Sequence, residues 1–164
     1  MENIINEKFI DFLIKAKKST YANSTIEKVK SSRVGSSDYH YEELIDSKKY
    51  IYHDTYFGGT KFMGEEVVYY NDETPIWGMN YYGITIDATL SEDAMDKALR
   101  PALMMVGQDT DVIPVRGPKN YQNGEYEYHF CVNGNLEYFE GTETIYKGKI
   151  KVYELKCHGG IIKR

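Results

Sequence analysis

Between Tyr50 and Gly83 the chain reads YIYHDTYFGGTKFMGEEVVYYNDETPIWGMNYYG, and no other stretch narrows the fold as far. Three strand-length runs of aromatic and β-branched residues are cut by Gly58-Gly59 and by Asn71-Asp72-Glu73, the punctuation of β-hairpins. Connections this short permit only antiparallel neighbours, because a parallel crossover needs a dozen or more residues. In the first run Tyr50, Tyr52, Asp54 and Tyr56 alternate with Ile51, His53, Thr55 and Phe57. In the last, Trp77, Met79 and Tyr81 share one face while Ile76, Asn80 and Tyr82 share the other. A strand with large side chains on both faces reads as a central strand or the wall of a pocket.

The remaining chain supplies helices and a second strand block. Residues 2–22 predict a packing helix, with Ile5, Phe9, Phe12, Leu13 and Ala16 at helical spacing. Residues 23–38 are rich in Ser, Lys and Gly and predict a mobile connection. The first strand block covers 39–84. A second helix is expected over 90–106, opened by a Thr89/Glu92 capping box and kinked or restarted at Pro101. Residues 107–120 predict a loop. A meander over 124–158 follows, with turns expected at Asn133-Gly134 and Lys147-Gly148. The expected fold is α+β in a single domain, 1–164. It is one twisted antiparallel sheet of six or seven strands, with both helices on one side and a concave, tyrosine-lined face left open.

Charge and composition exclude several function classes. A net charge of −5 with scattered lysines argues against direct nucleic-acid binding. No run reaches the ~18 apolar residues of a membrane span, and no signal peptide opens the chain. Cys131 and Cys157 are then expected as reduced thiols of a cytoplasmic protein. His40, His53, His129 and His158 share no ligand spacing, so no metal is expected, and with no phosphate-loop or dinucleotide fingerprint no cofactor is either.

Sixteen tyrosines carry much of the apolar bulk, and each brings a hydroxyl that wants a partner. Aromatic walls with a few convergent polar groups describe a small-molecule pocket. The candidate ligand-binding set is Tyr52, Tyr56, Glu65, Trp77, Tyr81, Arg116, Tyr128 and Glu140. Glu65 and Glu66 point to opposite faces of their strand. Either needs a partner on an apolar face, and Arg116 is the natural one.

Several runs also resemble a family of bacterial domains of unknown function. They are Ser32-Arg33-x-Gly35-Ser36, Asp54-Thr55-Tyr56-Phe57-Gly58-Gly59, Phe62-x-Gly64-Glu65-Glu66-Val67-Val68-Tyr69, Pro75 to Gly83, Arg116-Gly117-Pro118, Tyr126-Glu127-Tyr128 and Tyr153-Glu154. In that family the domain occurs alone or behind an XRE-type helix-turn-helix, and the resemblance implies a stand-alone member here. It brings no catalytic residues. By analogy it implies an effector-binding or partner-binding module. The leading expectation is therefore a small-molecule-binding module. The alternatives are a homodimer or partner interface on the same aromatic face, and an acid–base hydrolase or isomerase using Glu65, Glu140 or Asp54.

Overall fold

The computed structural model describes residues 4–163, so Glu2 and Asn3 of the expected first helix lie outside the described residues. Helix α1 spans Glu7–Lys18. Asn6 caps it by accepting the Phe9 amide at 3.0 Å, and Lys15, Lys17 and Lys18 sit in the last turn, where the helix dipole favours cations.

Eight strands follow: β1 (Ser37–Ile45), β2 (Lys48–Gly58), β3 (Lys61–Tyr70), β4 (Thr74–Thr85), β5 (Asn120–Asn123), β6 (Tyr126–Asn135), β7 (Tyr138–Lys147) and β8 (Ile150–Ile161). They form one antiparallel sheet in the order β1-β2-β3-β4-β8-β7-β6-β5. Two meanders therefore meet at β4 and β8. The sheet has eight strands, not the expected six or seven; the strand without a sequence signal is β5, a four-residue polar edge strand with no apolar alternation. The β6–β7 turn also moves. Asn133-Gly134 lies within β6, with Gly134 at φ +96°, and the chain reverses at Leu136-Glu137.

The sequence between β4 and β5 forms the second helical cover, in four short pieces. Asp87 caps a short turn at Ala88–Leu90 by accepting the Thr89 amide, which replaces the expected Thr89/Glu92 box. Next come α2 (Ser91–Ala94), a π turn (Met95–Leu99) and α3 (Arg100–Leu103). Pro101 explains the break. It cannot donate to the Lys97 carbonyl, which accepts the Asn123 side-chain amide at 3.1 Å instead, while the Arg100 amide reaches back to Met95.

Both covers pack on one face of the sheet. Phe9 of α1 meets the edge of Trp77, and Phe12 lies against Tyr41 and Tyr50. Tyr126 at the far side reaches Asp93 of α2. The buried row runs through Tyr52, Val68, Met79, Leu155, Phe139 and Tyr128. Two bulges thicken it. Ile76 opposite the Val68/Tyr69 step and Val152 opposite Ile145/Tyr146 are extra residues on their strands, and both are buried. The tyrosine-rich face is thus the covered one, correcting the expectation of an open aromatic surface.

The sequence predicts a mobile connection over 23–38; instead the segment 19–36 crosses the β1 edge as a strap onto the outer face and runs into β1 at Ser37. Val29 donates to Asp38 O at 2.9 Å, and Arg33 pairs with Glu65 at 2.7 Å. The buried Asp38 carboxylate anchors the strap, taking bonds from Ser32, Ser36, Thr55 and His53. Burial alone would raise its pKa, but those four bonds outweigh it and hold the carboxyl well below the usual range. The two cysteines sit on opposite faces of non-adjacent strands, Cys131 exposed and Cys157 buried, so they cannot pair with each other. Burial pushes the Cys157 thiol up to about 11.

Candidate functional site

Between the two helical covers and the strands beneath them lies a cavity of about 230 Å³. Its floor is built from β2, β3 and β4. The register places Asp54 opposite Glu66, with Tyr52 and Tyr56 flanking Asp54 along β2. Both carboxylates point inward because they fall on the same period-two face as Tyr52 and Val68. Lys17, from the last turn of α1, and Tyr21 just beyond it form one wall. Met95, Leu99, Arg100 and Leu103 form the roof, and Arg116 closes the far side.

The two carboxylates are held differently. Glu66 takes a buried ion pair from Lys17, whose ammonium lies 5.9 Å from the centre of the Tyr52 ring. Asp54 has one partner, the Tyr81 hydroxyl, which donates to Oδ1 at 2.6 Å. Its Oδ2 accepts nothing from the described residues, yet it is not occluded from the cavity. Burial, and then the Glu66 charge across the strand pair, raise the Asp54 carboxyl to about 7, against the lowering effects of Tyr81, Lys17 and Arg116. Burial and these same carboxylates drive the Tyr52 and Tyr81 phenols well above their ordinary value.

Tyr81 reaches Asp54 because Gly64 lies between them. A Cβ at Gly64 would sit 2.5 Å from the Tyr81 ring carbon Cζ and from its hydroxyl. The glycine leaves the ring room to lie across β3.

A second polar cluster adjoins the first. Arg116 donates Nε and Nη2 to Glu143 at 2.9 and 2.6 Å, and the Tyr128 and Tyr153 hydroxyls donate to the same carboxylate at 2.6 and 2.9 Å. Glu143 is fully buried and each of its oxygens accepts twice. Arg116 therefore pairs with Glu143 on β7, not with the glutamates of β3.

In the roof, Arg100 Nη1 bonds Asp96 at 3.0 Å and the guanidinium lies 5.0 Å from the Tyr21 ring centre. Its Nε is the one buried side-chain nitrogen or oxygen without a partner among the described residues.

Of the residues expected at a binding site, Tyr52, Tyr56, Tyr81 and Arg116 converge on this cavity. The other four do not. Trp77 is wholly buried core: its Nε1 donates to Leu136 O at 3.0 Å, and its ring stacks on Phe139. Tyr128 is likewise enclosed, bonded to Glu143 and accepting the Gly117 amide. Glu65 and Glu140 lie on the outer face, Glu65 against Arg33 and Glu140 exposed beside His158 in the register. Conversely, Lys17, Glu66 and Arg100 join the cavity without having been singled out for it. The shared face of Glu66 with Phe62 and Val68 is the signal that pointed inward; Lys17 gave none. Asp54 carried a signal as a carboxylate set between tyrosines. Among the described residues no three His, Cys, Asp or Glu side chains converge as a metal site, and no helix is long and apolar enough to cross a membrane.

Comparison with known proteins finds no match among curated proteins and none among solved structures. Residues 54–162 do match a sequence profile, DUF5680, described as a domain of unknown function. That span begins at Asp54 and takes in β3, β4, the roof and the whole second meander, about two thirds of the chain. The chain belongs to the DUF5680 family.

Proposed function

We propose that this chain is a small-molecule-binding module whose site is the cavity above Asp54. The carrying observation is the Asp54 carboxyl itself: buried, held by one neutral hydroxyl, and presenting a free oxygen to an aromatic-walled space. Burying such a group is costly unless a partner completes it, and a bound molecule supplies that partner. The cavity is below the ~300–1,000 Å³ of drug-sized sites, which suits a compact metabolite. The helix-turn-helix context of the family it resembles agrees with an effector-sensing role, and two free thiols agree with a cytoplasmic setting.

The interface alternative loses its main support, since the aromatic face it relied on is covered by the chain's own helices. Native mass spectrometry of gently purified protein tests the binding reading. It should show a non-covalent mass that disappears on denaturation. Met95→Trp, which places an indole in the cavity, should abolish that mass while leaving the fold intact. A bound mass that survives Met95→Trp would place the site elsewhere.

One observation favours a second reading, acid–base catalysis. Two facing carboxyls have different surroundings, Asp54 without a cation and raised to about 7, Glu66 ion-paired with Lys17, an asymmetry that acid–base sites use. In that case Asp54→Asn would keep ligand affinity and lose turnover. Retained turnover in that variant would remove the reading.

A further inference from the structure

We infer that the ligand is a small organic cation, a protonated amine or amidinium on a compact apolar or aromatic body, whose N–H groups donate to Asp54. The inference rests on the binding reading above and adds the chemistry of the ligand to it.

The argument starts from how charges are matched around the cavity. Each cation in its lining has a carboxylate of its own: Lys17 has Glu66, Arg100 has Asp96 and Arg116 has Glu143. Asp54 is the lining acid with no cationic partner, only the Tyr81 hydroxyl on Oδ1. The groups facing it are Glu66 and Tyr81 from β3 and β4, Tyr52 and Tyr56 from β2, Tyr39 opposite it on β1, Lys17 from α1, Arg100 from the roof and Arg116 from the loop before β5. Glu66 is the nearest charge in the register, and it is of the same sign. An anionic ligand would add to that repulsion. A cation relieves it and completes Oδ2 with a charge-assisted bond.

The walls favour the same chemistry. The faces of Tyr21, Tyr52 and Tyr56 already attract cations of the chain itself, Arg100, Lys17 and Lys28, at 5.0, 5.9 and 5.5 Å. Aromatic faces attract a desolvated ammonium through the negative potential above the ring. Phe62 and Tyr153, nearly parallel with 6.3 Å between ring centres, supply the apolar surface for the ligand's body.

A proton signature follows. Below the Asp54 value of about 7 the free protein holds a proton on this carboxyl, and a bound cation expels it. The test is titration calorimetry about one pH unit below that value, in two buffers of different ionisation heat. The probes are benzylamine, benzyl alcohol and benzoate, which share one ring and differ in charge. Benzylamine should bind at least roughly tenfold more tightly than the alcohol and release close to one proton. The release should vanish about one pH unit above the Asp54 value and in Asp54→Asn at either pH.

Benzyl alcohol or benzoate binding as tightly as the amine would overturn the cation inference and leave the binding module standing. Silence from all three at millimolar concentration would overturn both. If Asp54→Asn does not fold, the buffer dependence of the wild-type protein on either side of the Asp54 value decides the question alone.

Discussion

Glu143 and Asp54 sit on the same buried face of the same sheet, and their surroundings are opposites. Glu143 is met by four donors, two from Arg116 and one each from Tyr128 and Tyr153, which fills the acceptor capacity of a carboxylate. Asp54 is met by one. The first meander therefore ends in an open valence where the second ends in a closed network. A closed network fixes how β6, β7, β8 and the Arg116 loop pack, and leaves nothing for a ligand to complete. An open one costs the fold stability and leaves a place for a partner. Burial and charge alone do not separate these two carboxylates; counting the bonds each still lacks does.

The largest expected effect comes from opening the closed side. Arg116→Met strands a fully buried carboxylate and should cost about 3–5 kcal/mol in urea unfolding. Replacing Glu143 by Leu in the same chain should recover most of that loss, because the stranded charge goes with it. A loss under roughly 1 kcal/mol in the single variant would mean that the network does not organise the core.

Closing the open side should act the other way, and increasingly as pH rises above the unfolded value. The Asp54 carboxyl titrates near its ordinary 3.8 when unfolded and at about 7 when folded. Between those values the native state holds a proton that the unfolded chain has lost, so stability falls as pH rises through the window. Asp54→Asn removes that slope. The variant should match the wild type near the lower value and exceed it above the upper one, by up to about 4 kcal/mol. Equal pH profiles for the two proteins would show that Asp54 is already compensated.

Gly64→Ala perturbs the one bond that Asp54 does have. The added methyl meets Tyr81 at 2.5 Å and the Thr55 carbonyl at 2.6 Å, so the ring must move off the carboxyl. A loss of about 1–3 kcal/mol is expected, together with a further rise in the Asp54 titration, readable by carboxyl NMR. An unchanged titration would detach Tyr81 from the site.

Much of this was legible in the sequence, and the failures have physical causes. The alternation Tyr50, Tyr52, Asp54, Tyr56 put an acid among aromatics on one face, and the turns at Gly58-Gly59 and Asn71-Asp72 fell where β2, β3 and β4 are joined. Which face the helices cover was not legible, because β2 and β4 carry large side chains on both. That single ambiguity displaced Glu65 and Glu140 into the expected site and left Glu66 out of it. Pairings across long separations were equally hidden: Lys17 meets Glu66 across 49 residues, and Arg116 meets Glu143 across 27. Trp77 drew attention by its size, and size is what buried it.

The smallest expected effect probes the outer face. Glu65 and Arg33 pair at 2.7 Å with side chains 41% and 51% exposed, a geometry in which ion pairs are worth about 0.2–1 kcal/mol. Glu65→Gln should therefore leave unfolding within that range of the wild type and leave cavity binding unchanged, because Glu65 and Glu66 face opposite sides of β3. Its effect should be local. The strap holds to β1 through the Val29 amide on Asp38 O, and that amide should exchange faster once Arg33 is released. Hydrogen exchange resolves the two faces directly: faster exchange confined to the strap keeps them separate. A change in ligand affinity would mean that the strap, which runs from the cavity wall at Tyr21 to the outer face at Arg33, couples them.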